Sequence, residues 1–195
     1  AQAPARPAIL SEHGNRSFAE LNARANQLVR ALRRMGLKAG DAVALMCSNR
    51  PEFAETIAAC ARGGFRMTPI NWHLKGSEVG YIVDNCEAKA FIADARFRGS
   101  AVEAASMAPG LVAKLAVGGP IDGFSSYDEA VEAEEGEDLS DPVLGSQMMY
   151  TSGTTGHPKG VYRKQAAPVT PLLAKLTETA AFREGDLALV TGPLY

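Results

Sequence analysis

The chain has 195 residues, 46% of them hydrophobic and 22% charged, with a net charge of −2. That is enough for a domain with a real core. The near-neutral balance gives no reason to expect a nucleic acid or an anionic membrane surface as partner. No apolar run approaches the roughly 18 residues of a membrane span, and no signal peptide is visible. Three widely spaced cysteines, Cys47, Cys60 and Cys86, show no metal-binding spacing. They read as reduced thiols of a cytoplasmic protein.

Residues 1–16 form a weakly patterned lead-in, with a short strand at Ile9-Leu10 and a turn at Gly14-Asn15. Ser17 to Glu20 reads as a capping box. Phe18, Leu21, Ala25, Leu28, Leu32 and Met35 then recur at helical spacing, and the helix is expected to stop at Gly36. Arg24, Arg30, Arg33 and Arg34 lie off that stripe and read as a solvated face.

Ala42 to Cys47 is unbroken apolar, the pattern of a strand covered on both faces. Asn49 and Pro51 signal the start of a second helix, which Gly63-Gly64 ends. Arg66–Ile70 reads as a strand and Asn71–Leu74 as its exit loop. Ser77 is expected to cap a third helix with Val79, Ile82, Val83 and Cys86 inside. A strand at Ala88–Ala93, a helix at Phe97–Met107 and a strand at Lys114–Val117 follow. Strands alternating with helices of this length predict an α/β fold: a doubly wound, mostly parallel sheet with flanking helices. Eight carboxylates between Asp128 and Asp141 read as a solvated helix face or linker rather than a metal site.

The most informative stretch is Tyr150–Val161: Tyr-Thr-Ser-Gly-Thr-Thr-Gly-His-Pro-Lys-Gly-Val. A short strand, Ser146–Tyr150, runs into it. Glycines let backbone N–H groups turn toward one anion. Hydroxyls add donors, and Lys159 adds a mobile positive charge. The loop is no Walker A motif, because Pro158-Lys159-Gly160 stands where Gly-Lys-Ser/Thr is required. Beyond it the sequence predicts a short strand at Val161–Arg163, a helix from about Pro171 to Phe182 and an apolar strand at Leu187–Thr191. His157 and His73 read as exposed, His13 lies in the lead-in, and Trp72 reads as a packing residue.

Ser152-Gly-Thr-Thr-Gly-x-Pro-Lys-Gly160 resembles the phosphate-binding signature of the adenylate-forming (AMP-binding) superfamily, and in particular of acyl-CoA synthetases. Phe18-Ala-Glu-Leu21, Asn49-Arg-Pro-Glu52, Pro69-Ile-Asn71 and Glu87-Ala-Lys-Ala-Phe-Ile92 fall in the same order as in those enzymes. The resemblance implies a role in binding the phosphates of ATP for Thr151, Ser152, Gly153, Thr154, Thr155, Gly156 and Lys159. It brings Thr154 or Thr155 near magnesium and assigns no catalytic residue within this stretch. It also places Tyr195, in Gly192-Pro-Leu-Tyr195, at the edge of an acyl pocket. Residues 1–145 would be an N-terminal subdomain. Residues 146–195 would carry the loop and begin the next part of the AMP-binding domain.

The implied substrates are a fatty or aryl carboxylic acid, Mg2+·ATP and coenzyme A. Carboxylate attack on the α-phosphate would yield an acyl-adenylate and pyrophosphate, and the thiol would then take the acyl group. Because the chain stops after an apolar strand, it reads as an N-terminal fragment, inactive alone, that continues with histidine. A complete, non-catalytic nucleotide- or pyrophosphate-binding module is the alternative. Peptide-synthetase adenylation domains and luciferases share the loop. The oligomeric state stays open, a homodimer included.

Overall fold

Ser17 ends the lead-in and starts the first helix with both halves of a capping box. Its hydroxyl accepts from the Glu20 N–H, and the Glu20 carboxylate accepts from the Ser17 N–H at 2.7 Å. The computed structural model describes residues 3–151, 158–162 and 185–195. The lead-in forms an antiparallel ribbon, β1 (Pro7–Ile9) with β2 (Arg16–Ser17). Helix α1 (Phe18–Arg34) buries Ala25, Leu28, Val29, Ala31 and Leu32. Each buried leucine contributes about 1.5–3 kcal/mol. The helix stops where expected. Gly36 takes φ +102°, and the Leu37 N–H donates to the Leu32 carbonyl at 3.0 Å.

Strand β3 (Ala42–Met46) is buried throughout. It lies between β4 (Arg66–Pro69) and β5 (Ala88–Asp94), parallel to both. Strands β6 (Ala113–Val117), β7 (Ser125–Ser126), β8 (Ser146–Thr151) and β9 (Lys159–Tyr162) complete a seven-stranded sheet of order β7-β6-β5-β3-β4-β8-β9. All its pairings are parallel except β8 with β9.

The order records a reversal. From β3 the chain moves one way to β4 through α2 (Pro51–Gly63). It then crosses back through α3 (Gly76–Asn85) to β5, and continues through α4 (Arg98–Met107) to β6. Crossovers of one hand running in opposite directions put their helices on opposite faces. Two cores result. Val43, Leu45, Ile92 and Leu115 pack in one, with residues of α1, α2 and the short α5 (Tyr127–Glu132). Ala44, Met46, Phe91 and Ala116 pack in the other, under α3 and α4. Alternate residues of each central strand serve alternate cores. The doubly wound, mostly parallel architecture expected from the sequence is the one observed.

Several local expectations are corrected. Ser77 does not cap α3; Lys75 holds the N-cap position, and its N–H donates to the Glu78 carboxylate at 2.9 Å. Asn49 does not cap α2, whose N-cap Arg50 makes no side-chain cap bond. The first strand ends at Ile9, leaving Leu10 exposed. Leu187–Thr191 forms no strand: Leu187, Leu189 and Val190 are exposed and pair with no strand among the described residues. The helix expected to end near Phe182 lies outside the described residues.

The arginine face of α1 is the largest correction. It carries the acidic segment rather than water. Arg30 donates to the carbonyls of Glu135 and Glu137 at 2.7 and 2.8 Å, Arg33 to Asp141 at 2.9 Å, and Arg34 pairs with Glu134 at 2.5 Å. Asn22 and Asn26 both donate to Asp138. The acidic residues form a belt across α1, and that belt delivers the chain to β8. Beneath it Glu55, fully buried, accepts from Arg16 at 2.7 Å, from Arg24 at 3.0 Å and from the Tyr127 hydroxyl at 2.9 Å. A buried carboxylate needs such partners, because an unpaired one would be costly.

Candidate functional site

Because β8 runs parallel to β4, in register Arg66 with Ser146, the two strands exit at the same edge of the sheet. The exit of β4 is the loop Asn71–Leu74. The exit of β8 is the glycine- and hydroxyl-rich loop. Its six residues Ser152, Gly153, Thr154, Thr155, Gly156 and His157 lie outside the described residues; its two ends do not. Thr151 pairs with Lys159 and Tyr150 with Gly160 in an antiparallel ladder, so the loop joins the strands of a hairpin. The strand expected at Val161–Arg163 is β9, starting two residues earlier.

Gly160 has its own reason to be glycine. A Cβ there would lie 2.2 Å from Met148 Cε and 3.0 Å from Tyr150 Cζ. The side chain of Tyr150 crosses over that position, and its hydroxyl donates to Asn85 Oδ1 at 2.6 Å. Burial, then the proximity of Cys86 and Tyr81, pushes the Tyr150 phenol above its ordinary value, so it stays a donor. Behind β9 the Arg66 guanidinium sits 5.0 Å from the Tyr162 ring centroid.

A pocket of about 270 Å³ opens where these exits meet. Ile70, Asn71 and Leu74 bound it from β4 and its exit, Tyr150 and Thr151 from β8, Pro158 from the far end of the loop, and Tyr195 from the last segment. The β4 exit is shaped by Asn71, whose side-chain oxygen accepts from the His73 N–H at 2.8 Å. Trp72 stacks on Phe97 with centroids 5.8 Å apart and meets Tyr195 edge-on at 4.7 Å. Trp72 is therefore the packing residue the sequence suggested, and the ring of Tyr195 rests on it. His73 is exposed, also as expected.

Open α/β sheets favour ligands at the point where strand order reverses, here between β3 and β5. In this chain that crevice is filled from within. Ser48 Oγ donates to the buried Asp94 carboxylate at 2.6 Å. The Arg50 guanidinium pairs with Glu52 at 3.2 Å and lies 2.9 Å from where a Cβ on Gly118 would stand. The pocket therefore sits toward β4 and β8. A larger cavity of about 430 Å³ lies at the opposite, amino-terminal edge, between Asp41, Arg66, Asp84, Glu87 and Lys89, and neither Thr151 nor Pro158 lines it.

Among the described residues no three histidine, cysteine or acidic side chains are grouped to hold a metal. The three cysteines are buried and free. Burial pushes Cys60 up to about 12, and raises Cys47 and Cys86 as well. None supplies a thiolate near neutral pH. Of the residues assigned to phosphate, Thr151 and Lys159 are paired across the ladder and Thr151 lines the pocket; Tyr195, expected at the edge of an acyl pocket, lines it too. Asn71, Tyr150 and Pro158 also line it, although the sequence had assigned them no site role. Their one local signal was proximity to the loop or to a strand end.

Comparison with known proteins gives a consistent result. An indoleacetate–CoA ligase of Aromatoleum aromaticum is 33% identical over 84% of this chain and 33% of its own length. A long-chain-fatty-acid–CoA ligase of Thermus thermophilus is 32% identical over 92% of this chain and 34% of its own. The structure of the anthranilate CoA ligase AuaEII in complex with anthranoyl-AMP matches the fold with a TM-score of 0.77, at 24% identity, over 83% of this chain and 32% of that one. The chain thus spans about a third of the length of the curated relatives it matches. The model of the AMP-binding enzyme family matches residues 1–195, and the chain belongs to that family.

Proposed function

We propose that this chain is the N-terminal part of an AMP-forming acid–CoA ligase. The observation that carries this reading is the convergence of Thr151, Pro158 and Tyr195 on one pocket. It sets both ends of a phosphate-type loop beside a mostly apolar wall, as a reaction between an ATP phosphate and an organic carboxylate requires. In this reading the ATP phosphates lie against Thr151, Ser152, Gly153, Thr154, Thr155, Gly156 and Lys159. The acid enters past Tyr195. The donor set suits the task, since hydroxyls, turned backbone N–H groups and one ammonium all address anionic oxygen. Magnesium arrives with ATP as part of the substrate, with Thr154 or Thr155 near it, and coenzyme A is the acceptor.

The chemistry follows from charge. Breaking the bond between the α- and β-phosphates gathers negative charge on pyrophosphate, and donors fixed at that place lower the barrier. Residues from 146 onward begin the next part of the AMP-binding domain, and the chain alone is inactive. Ligases for fatty acids and for aryl acids are both represented among its relatives, and a fatty or aryl acid is the substrate class proposed. The test is acid-dependent exchange of labelled pyrophosphate into ATP by the natural full-length protein, across a panel of fatty and aryl acids. Exchange with any of them, followed by thioester formation on adding coenzyme A, is the expected result. No exchange with any acid overturns the proposal.

A further inference from the structure

We infer that Asn49 is a positioning residue for the acid side of the pocket, acting through the backbone of residues 192–194. It stands in the turn between β3 and α2, where an asparagine usually caps a helix. Here the cap is not made, and both ends of the carboxamide are used elsewhere. Nδ2 donates to the Gly192 carbonyl at 2.8 Å, and Oδ1 accepts from the Leu194 N–H at 3.1 Å. One side-chain amide thus pairs with two backbone groups two residues apart, as a neighbouring strand would. It does so across separations of 143 and 145 residues.

The next residue is Tyr195. Its ring lies edge-on to Trp72, 4.7 Å between centroids, and lines the pocket opposite Thr151 and Pro158. The adjacent segment contributes nothing that would hold this position by packing. Leu187, Leu189, Val190 and Leu194 are all exposed. Among the described residues, the Asn49 carboxamide and the Trp72 ring tie the last residues to the pocket mouth. Asn49 sits at the reversal point of the sheet, beside the crevice plugged by Arg50, so the turn that leaves the fully buried strand β3 sets the pocket edge. No contact of Asn49 reaches the loop ends Thr151 and Lys159. Its loss is expected to act on the acid and to spare ATP. This inference rests on the ligase reading for its kinetic part and is independent of it for its structural part.

The experiment uses the natural full-length protein, labelled with 5-fluorotryptophan. Trp72 is the single tryptophan of these 195 residues, and its fluorine resonance is assigned by its loss in Trp72→Phe. Asn49→Ala is expected to move the Trp72 resonance in the direction that Tyr195→Ala moves it. It is expected to raise KM for the acid about tenfold, the scale of two neutral hydrogen bonds lost, with KM for ATP within about twofold. A Trp72 resonance in Asn49→Ala that coincides with wild type overturns the inference. So does an equal rise in both KM values. Should Asn49→Ala fail to fold, Asn49→Asp carries the same test, keeping the acceptor for Leu194 and losing the donor for Gly192. If wild type activates no acid, the ligase reading falls, and the Trp72 resonance still decides whether Asn49 holds the segment.

Discussion

Thr151 stands directly opposite Lys159 across the β8–β9 ladder. Directly opposed residues of an antiparallel pair share a face of the sheet. A hydroxyl and an ammonium therefore flank the loop where it leaves and re-enters the hairpin. This defines the loop's mouth as polar and cationic without any reference to its six inner residues.

In the full-length enzyme, Lys159→Ala is expected to slow adenylate formation about 30- to 1,000-fold, the scale of one lost transition-state donor. Thioester formation from supplied acyl-adenylate is expected to change much less, since pyrophosphate has already left. Lys159→Arg is expected to rescue only in part, because a planar fork replaces a point charge. Rapid-quench measurement of both half-reactions checks this. Equal slowing of the two, or of neither, removes the assignment of Lys159 to pyrophosphate.

Glu55 is the buried charge that two partly buried arginines share, although Arg24 also pairs with Asp128 and Glu132. Glu55→Gln keeps the volume and removes the charge, leaving Arg16 and Arg24 facing a neutral amide. Breaking a buried pair from one side costs about 3–5 kcal/mol. Tyr127→Phe removes one hydrogen bond to the Glu55 charge and is expected to cost about 1.5–3 kcal/mol. Urea unfolding of the two variants measures the difference. A smaller loss for Glu55→Gln than for Tyr127→Phe contradicts this account.

Two glycines predict opposite outcomes. A Cβ on Gly145 would stand 2.1 Å from the Cys60 carbonyl oxygen and 2.6 Å from that of Phe65, both backbone atoms that cannot step aside. Gly145→Ala is expected to cost at least the about 1–3 kcal/mol typical of overpacking. It is also expected to loosen β8, whose Ser146 N–H donates to the same Phe65 carbonyl at 3.1 Å. Gly99, in the first turn of α4, has nothing within 4 Å of its would-be Cβ. Gly99→Ala is expected to stabilise by up to about 1 kcal/mol. Calorimetric melting of both variants decides.

The acidic belt is expected to loosen in acid. The hydrogen bonds from Asn22 and Asn26 hold the Asp138 carboxyl below its usual value, and the bond from Arg33 does the same for Asp141. Both therefore bind protons less readily in the folded chain. Their stabilisation is complete above the ordinary aspartate pKa of about 3.9. It is lost as pH falls through the lower folded values. Amide protection across residues 134–141 is expected to drop in that window, ahead of protection in β3. Simultaneous loss in both would show that the belt does not open on its own.

What could be read from the sequence was whatever neighbours decide. Ser17 and Glu20 lie three residues apart, and their mutual capping is a local matter. Ala42–Met46 announces burial by composition alone. Trp72 and His73 behaved as their types suggest. What could not be read was pairing across long separations. Arg30 and Arg33 look solvated until the acidic belt is laid over them, and Asn49 looks like a cap until Gly192 arrives. Ser77 lost its place to Lys75 because a Glu78 carboxylate can serve any backbone N–H three residues back. Leu187–Thr191 has the composition of a strand, but composition supplies no ladder partner. The loop stood out by its composition, while the pocket beside it, assembled from β4, β8 and Tyr195, did not.

The placement of β8 has a consequence for how the molecule comes into being. Its pairing with β4 closes a loop that contains α3, β5, α4, β6, β7 and α5. Closing so long a loop is entropically expensive until those elements have condensed. The hairpin bearing the glycine loop therefore docks late, after the sheet it joins. A nascent or partly refolded chain therefore lacks the pocket that Thr151 and Pro158 share with Ile70, Asn71 and Tyr195. On the proposed function, nucleotide capture is expected to wait until the scaffold is built, which would make ligand binding a read-out of completed folding rather than an aid to it.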